Sequence, residues 1–207
     1  MQGIEHESGA LAIKRLEAEQ EELKEGIGEI RERLDVYQRG LAADIEMLKG
    51  ISAELERQKM IAGLLAVEGT GVQVTLDDSN IQAVPATADP NAYLIHEYDL
   101  RDVVNLLWMA GSEAIAVNDE RIVATTSIYC VGSTVMVNDT RLSPPYLIRA
   151  IGNPVLQEDI LSNPAYLKEI KQKAELHDLQ FKVDRVKRLT LPAYKGGFPI
   201  RYAQLGE

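Results

Sequence analysis

The sequence predicts an α+β protein, in which a long N-terminal coiled-coil helix is followed by a small α/β sandwich. Two observations carry this. A seven-residue apolar repeat runs through the first sixty residues, and it stops where β-branched residues and turn signals begin. The division falls near residue 60, giving a coiled-coil segment at 1–60 and a globular domain at 61–207.

The repeat places Ile13, Gln20, Ile27, Leu34, Leu41, Leu48 and Leu55 at position a. Leu16, Leu23, Ile30, Tyr37, Asp44, Ile51 and Gln58 fall at d. The spacing alternates three and four without a slip, which implies a left-handed supercoil with a partner helix. Glu19 and Glu54 at g are spaced to meet Lys24 and Lys59 at e of a parallel partner. Such exposed pairs are worth about 0.2–1 kcal/mol each and bias orientation rather than supply stability. Gly26, Gly28, Gly40 and Gly50 each cost about 1 kcal/mol relative to Ala, so the helix needs its partner. The expected interface is Ile13, Leu16, Leu23, Ile27, Ile30, Leu34, Tyr37, Leu41, Leu48, Ile51 and Leu55, and the expected partner is a second copy of the chain.

Beyond residue 61 the elements read in order. Val72–Leu76 alternates as a strand and ends at Asp77-Asp78-Ser79-Asn80. A loop with Pro85 and Pro90 follows. Asp99 reads as an N-cap with Asp102 near N3, opening a helix whose face is Leu100, Val103, Val104 and Leu107, with Gly111 at C′. Ala114–Val117 is a buried strand. Arg121–Val131 and Thr134–Val137 form a hairpin around Gly132-Ser133. Leu147–Ile151 is a strand, and Asn153-Pro154 and Asn163-Pro164 each read as N-cap plus N1 proline. Gln180–Val186 is the last strand. The order β-α-β, hairpin, β-α-β describes a ferredoxin-like α/β sandwich with an inserted β-hairpin.

Composition narrows the function. The net charge is −10, and it divides evenly: residues 1–62 hold 9 Lys/Arg against 14 Asp/Glu, the remainder 13 against 18. No basic surface is hidden that would neutralise nucleic-acid phosphates or bind anionic lipid. The single cysteine, Cys130, excludes an intrachain disulfide and a thiolate zinc cage, and its strand-like neighbours suit a small buried side chain. The longest uncharged run, Ile122–Asn138, is too polar for a membrane span, and the N-terminus lacks the pattern of a signal peptide.

No catalytic residues, cofactor or metal are expected. Gly69 and Gly71 precede a strand, so they aim no helix-terminal N–H groups at phosphate. His96, Glu97 and Asp99 lie together but have no third-ligand spacing. The candidate ligand or partner cluster is Asn105, Asn118, Arg121 and Arg141, with Asn138 beside them. Its structural alternative has the Asn side chains bonding turn backbone and Arg121 pairing with a carboxylate such as Glu113. Its functional alternative is a site for a small ligand or a peptide carboxylate, which an Arg fork suits.

Three stretches are distinctive: Gly69–Asp78, Asn105–Ile122 and Pro144–Gly152. In that order they resemble a bacterial family, domain of unknown function 881, over roughly residues 55–195. Some members are labelled division-initiation-type because they sit near cell-division genes. The resemblance implies a ferredoxin-like domain behind a coiled coil, and in most members a transmembrane helix before the coil with the domain outside the cytoplasm. That helix is missing from this sequence, so the membrane is expected to be reached only through an anchor outside it. The family brings no catalytic residues. The expected function is a non-enzymatic adaptor that self-associates through the coil and presents its domain to envelope or division proteins. The alternative is a small-ligand or peptide-sensing module.

Overall fold

The computed structural model describes residues 2–42, 46–81, 88–204 and 206, with side chains described for these apart from 2–11, 40–42 and 46–48. The chain forms two compact units, Met1–Lys59 with Lys195–Glu207, and Met60–Tyr194. No helix among the described residues is long and apolar enough to cross a membrane.

The first unit is helical. α1 spans Gln2–Ala42 and α2 spans Glu46–Ile61. Ile13, Leu16, Leu23, Ile30, Leu34, Tyr37 and Ile51 are all 48–68% exposed. Ile27 and Leu55 are half-buried, while the Leu41 and Leu48 side chains and Asp44 lie outside the described residues. The single continuous helix expected to Gln58 is replaced by two. Lys59 forms an ion pair with Asp35 and donates to Gln38 Oε1 at 3.3 Å. On one straight helix those residues would stand about 36 Å apart, so α2 does not continue the line of α1. Lys59, expected to meet a partner's Glu54, is thus engaged within its own chain. The tail lies along α1: Arg31 Nη2 donates to Gly196 O at 2.7 Å, and Lys195 pairs with Glu21 at 3.6 Å.

The second unit is built on a five-stranded antiparallel sheet of order β3-β2-β7-β1-β8. The strands are β1 Val67–Asp77, β2 Ala114–Val117, β3 Glu120–Ile122, β7 Tyr146–Ile151 and β8 Gln180–Leu191. α3 (Glu97–Met109) connects β1 to β2, and α4 (Pro154–Ser162) with α5 (Lys168–His177) connects β7 to β8. Because β7 is antiparallel to both β1 and β2, those two run parallel with a helical crossover, and the same holds for β7 and β8 across β1.

Alternation divides the sheet into two faces. Val72, Val74, Leu76, Ile115, Val117, Ile148 and Ala150 join Leu100, Val103, Leu107, Leu161 and Ile170 of the helices in the main core. The opposite face carries a smaller cluster of Ala114, Ala116, Ile151, Leu189 and Leu191, with Val67 and Val186 against it. Between β3 and β7, the strands β4 (Ile128–Val131), β5 (Thr134–Val137) and β6 (Thr140–Leu142) make a separate three-stranded sheet.

Several boundaries differ from the sequence expectation, each for a local reason. Helix α3 begins at Glu97 with His96 as its N-cap. Asp99 occupies N3, where its carboxylate accepts from the His96 N–H at 2.9 Å, and it also pairs with Lys173 at 3.2 Å. The long first arm of the expected hairpin is broken. Thr126 Oγ1 accepts from Val123 N at 2.8 Å, closing a turn that ends β3, and only β4 pairs with β5 around Gly132. Asn163 caps the end of α4, and its side chain accepts from Ala165 N at 2.9 Å, an Asx turn that delays α5 to Lys168. Strand β1 starts earlier than Val72 because its glycines belong to the ladder. A Cβ on Gly71 would lie 1.8 Å from Ala150 O, so only glycine allows β1 and β7 to approach there.

Gly71→Ala is therefore expected to destabilise the domain by about 3 kcal/mol or more, read as a lowered midpoint in thermal or urea unfolding. A second outcome concerns alkali. Tyr146 on β7 is 3% exposed. Burial, with the acidic groups Asp78, Cys130 and Asp77, pushes its phenol up from 10.0 to about 12. The fold favours the neutral phenol, so this stabilisation is complete below pH 10 and is lost as pH rises from 10 to about 12. Tyr146→Phe should flatten the alkaline limb of a stability-against-pH curve across that window.

Candidate functional site

The β2–β3 hairpin carries two of the candidate residues, Asn118 and Arg121. Asn118 lies in its turn at φ 50°, a conformation Asn tolerates better than most side chains. Its N–H donates to Leu147 O at 2.8 Å, and its Oδ1 accepts from Leu147 N at 2.7 Å. Asn118 therefore prolongs the β2–β7 ladder beyond Val117, with a side-chain oxygen taking the place of a backbone carbonyl. Arg149, on the face away from the helices, donates to the Asn118 carbonyl and to Thr190 O at 3.3 Å, and it pairs with Asp119 at 3.3 Å.

Arg121, in the middle of β3, is 4% exposed. Its Nη1 donates to Leu65 O and to Pro192 O, both at 3.1 Å. Leu65 belongs to the segment that leads into β1, and Pro192 to the segment that leaves β8. The Tyr194 N–H donates to Gly63 O at 2.8 Å and joins the same two segments. Gly63 has φ +78°, and a Cβ there would lie 2.6 Å from Val123 Cγ1, so the close passage again depends on glycine. Burial lowers the guanidinium's affinity for its proton, yet an arginine remains charged. The expected carboxylate partner is replaced by neutral carbonyls. Nε is buried and has no hydrogen-bond partner.

Asn138 secures the other side of β3. Its Nδ2 donates to Arg121 O at 2.8 Å and to Glu120 Oε2 at 3.1 Å. The structure thus places Arg121 and Asn118 on one hairpin and sets Asn138, from the turn between β5 and β6, against it. It places Asn105 elsewhere, on the exposed side of α3, and Arg141 on β6, exposed and opposite Met136.

Arg121 lines a cavity of about 280 Å³ with Met60, Ile61, Val67, Glu68, Glu113, Ala114 and Ile151. Five of these walls are apolar. Glu68 is occupied by Arg188, at 2.7 and 3.1 Å, and by Thr190. Sequence reasoning missed Arg149 and Glu68. The alternation Tyr146, Ile148, Ala150 would have assigned Arg149 to the second face, whereas nothing local marks Glu68.

A second buried polar group lies where α3 begins. Asp99 is 3% exposed, and Lys173 bridges it to Tyr98 Oη at 2.9 Å, with the ammonium 4.6 Å from the Tyr98 ring centroid. Burial works against the Lys173 charge, but Tyr98 and Asp99 outweigh it and raise the lysine's proton affinity. The Cys130 thiol is pushed up by burial and by its hydrogen bond with Glu97, which keeps it protonated and a poor nucleophile. Among the described residues no group of three or more His, Cys, Asp or Glu side chains is placed to hold a metal ion.

Arg121→Met keeps the apolar stem and removes the donors. It should cost about 1–3 kcal/mol through the two carbonyls left unmatched. In hydrogen exchange, protection at the Tyr194 amide should fall before that of the β1–β7 ladder.

A family model described as "Bacterial protein of unknown function (DUF881)" matches residues 54–204. The chain is 37% identical over 82 residues to UPF0749 protein YlxW of Bacillus subtilis (strain 168), a match taking in 40% of this chain and 35% of that protein. It therefore spans about a third of that relative's length. Its fold is similar to that of an uncharacterized conserved protein from Mycobacterium tuberculosis, with a TM-score of 0.57 and 25% identity over 74% of this chain and 99% of that one. With the family model matching well over half of its length, the chain belongs to the bacterial DUF881 family.

Proposed function

We propose that the protein is a non-enzymatic adaptor. It self-associates through its heptad helix as a homodimer and presents a ferredoxin-like domain to cell-envelope or cell-division partners. The observation that carries this reading is the exposure of six seam residues of α1, from Ile13 to Tyr37, in the single chain. Burying each against a partner is worth about 1.5 kcal/mol or more, which outweighs four glycines at about 1 kcal/mol each. Strand order supports the name of the domain: without β3, the order β2-β7-β1-β8 is that of two interleaved split βαβ units. An extracytoplasmic position behind a membrane anchor rests on the family resemblance alone.

The second reading, a small-ligand sensing module, is favoured by the cavity beside Arg121, where a buried cation faces apolar walls.

Light scattering tests the first reading. The chain at tens of micromolar should give twice its 22.9 kDa mass, and the triple variant Leu16→Glu, Leu23→Glu, Ile30→Glu should give the monomer mass with the domain still folded. A wild-type chain that stays monomeric at that concentration ends the self-association reading.

A further inference from the structure

We infer that the cavity beside Arg121 is a binding site for a small carboxylate with a short aliphatic body. The inference rests on the sensing-module reading and adds a ligand class to it.

The argument begins with charge. Arg121 is 4% exposed, and among the described residues it has no ion pair. Its acceptors are two carbonyls, both met by Nη1. A buried cation without a counter-ion is costly, and a single anion delivered to it recovers much of that cost. The nearest acidic groups lining the cavity do not fill the role. Glu68 is taken by Arg188 and Thr190, and Glu113 is exposed.

Geometry adds to this. Nε is buried without a partner, so one edge of the guanidinium has no acceptor. Gly63 borders that edge; a Cβ there would lie 3.7 Å from Nε, so no side chain at this position crowds it. A carboxylate suits a guanidinium edge because its two oxygens match two parallel N–H groups. The remaining walls decide the rest of the ligand. Met60, Ile61, Val67, Ala114 and Ile151 offer hydrocarbon only. A volume of about 280 Å³ lies just below the usual range for drug-sized ligands, which limits the body to a short chain. Glu113, which has no ion pair among the described residues, weakens the site for any anion and keeps it selective for a single negative charge.

Calorimetric titration of the full chain with hexanoate, hexan-1-ol and hexylammonium tests the assignment. Hexanoate should bind, and the alcohol should bind about tenfold more weakly, the loss expected of one charge-assisted pair. Hexylammonium should not bind. Arg121→Met should abolish hexanoate binding. Ile61→Asp alters a wall residue that is 67% exposed, so it should leave the melting temperature unchanged while also abolishing binding. Glu113→Gln should tighten binding several-fold. Tighter binding of the alcohol or the ammonium than of hexanoate keeps the cavity as a site but overturns the carboxylate class. The absence of binding by all three probes overturns the site itself, as does hexanoate binding that survives both Arg121→Met and Ile61→Asp.

Discussion

A buried guanidinium needs acceptors, and in this domain Nη1 finds them in backbone carbonyls at the two ends of the sheet segment. Arg121 reaches Leu65 before β1 and Pro192 after β8. One side chain on a three-residue strand thereby fixes where the chain enters and leaves the domain. The neighbouring contacts reinforce it: Tyr194 to Gly63 across the same two segments, and Asn138 to the Arg121 carbonyl from the small sheet. If β3 moved, the ends of the domain and the three-stranded sheet would lose their common anchor.

The same hairpin shows how polar residues replace regular pairing where strands run out. Asn118 adopts a left-handed conformation and offers Leu147 the donor and acceptor that a further ladder residue would have offered. Arg149 then ties that turn to the last strand. The second face of the sheet is consequently held by hydrogen bonds as much as by its small apolar cluster, whereas the helical face is held by burial. A ligand pocket is more easily accommodated on the thinly packed face than in the dense core.

Much of the α+β architecture was legible in the sequence because it rests on local periodicity. The heptads located the helical unit, alternation located β1, and short apolar runs located β2 and β7. The misplaced boundaries arose where a residue type has two uses. Asp99 has the chemistry of an N-cap but acts at N3, because His96, a weaker capping residue, takes the first position. Asn163 precedes a proline and yet ends one helix rather than starting the next. In the candidate site, Arg121 and Asn138 were visible as members of one polar cluster beside the expected strands. Their partners were not, since the carbonyls of Leu65 and Pro192 lie 56 and 71 residues from Arg121 and carry no side-chain signature. That α2 does not continue the line of α1 was hidden for the opposite reason: the seven-residue repeat runs without a slip from one to the other.

Strand β8 lies at one end of the sheet and exposes a twelve-residue edge. Self-association would bring such edges close together at high local concentration, the condition under which unpaired strands add to one another. The sequence of β8 counters this with Lys182, Arg185, Lys187 and Arg188, crowded into seven residues. A second β8 laid alongside would set these cations against one another, with Asp184 the one acid among them. Crowding alone should therefore not turn neighbouring domains into a continuous sheet.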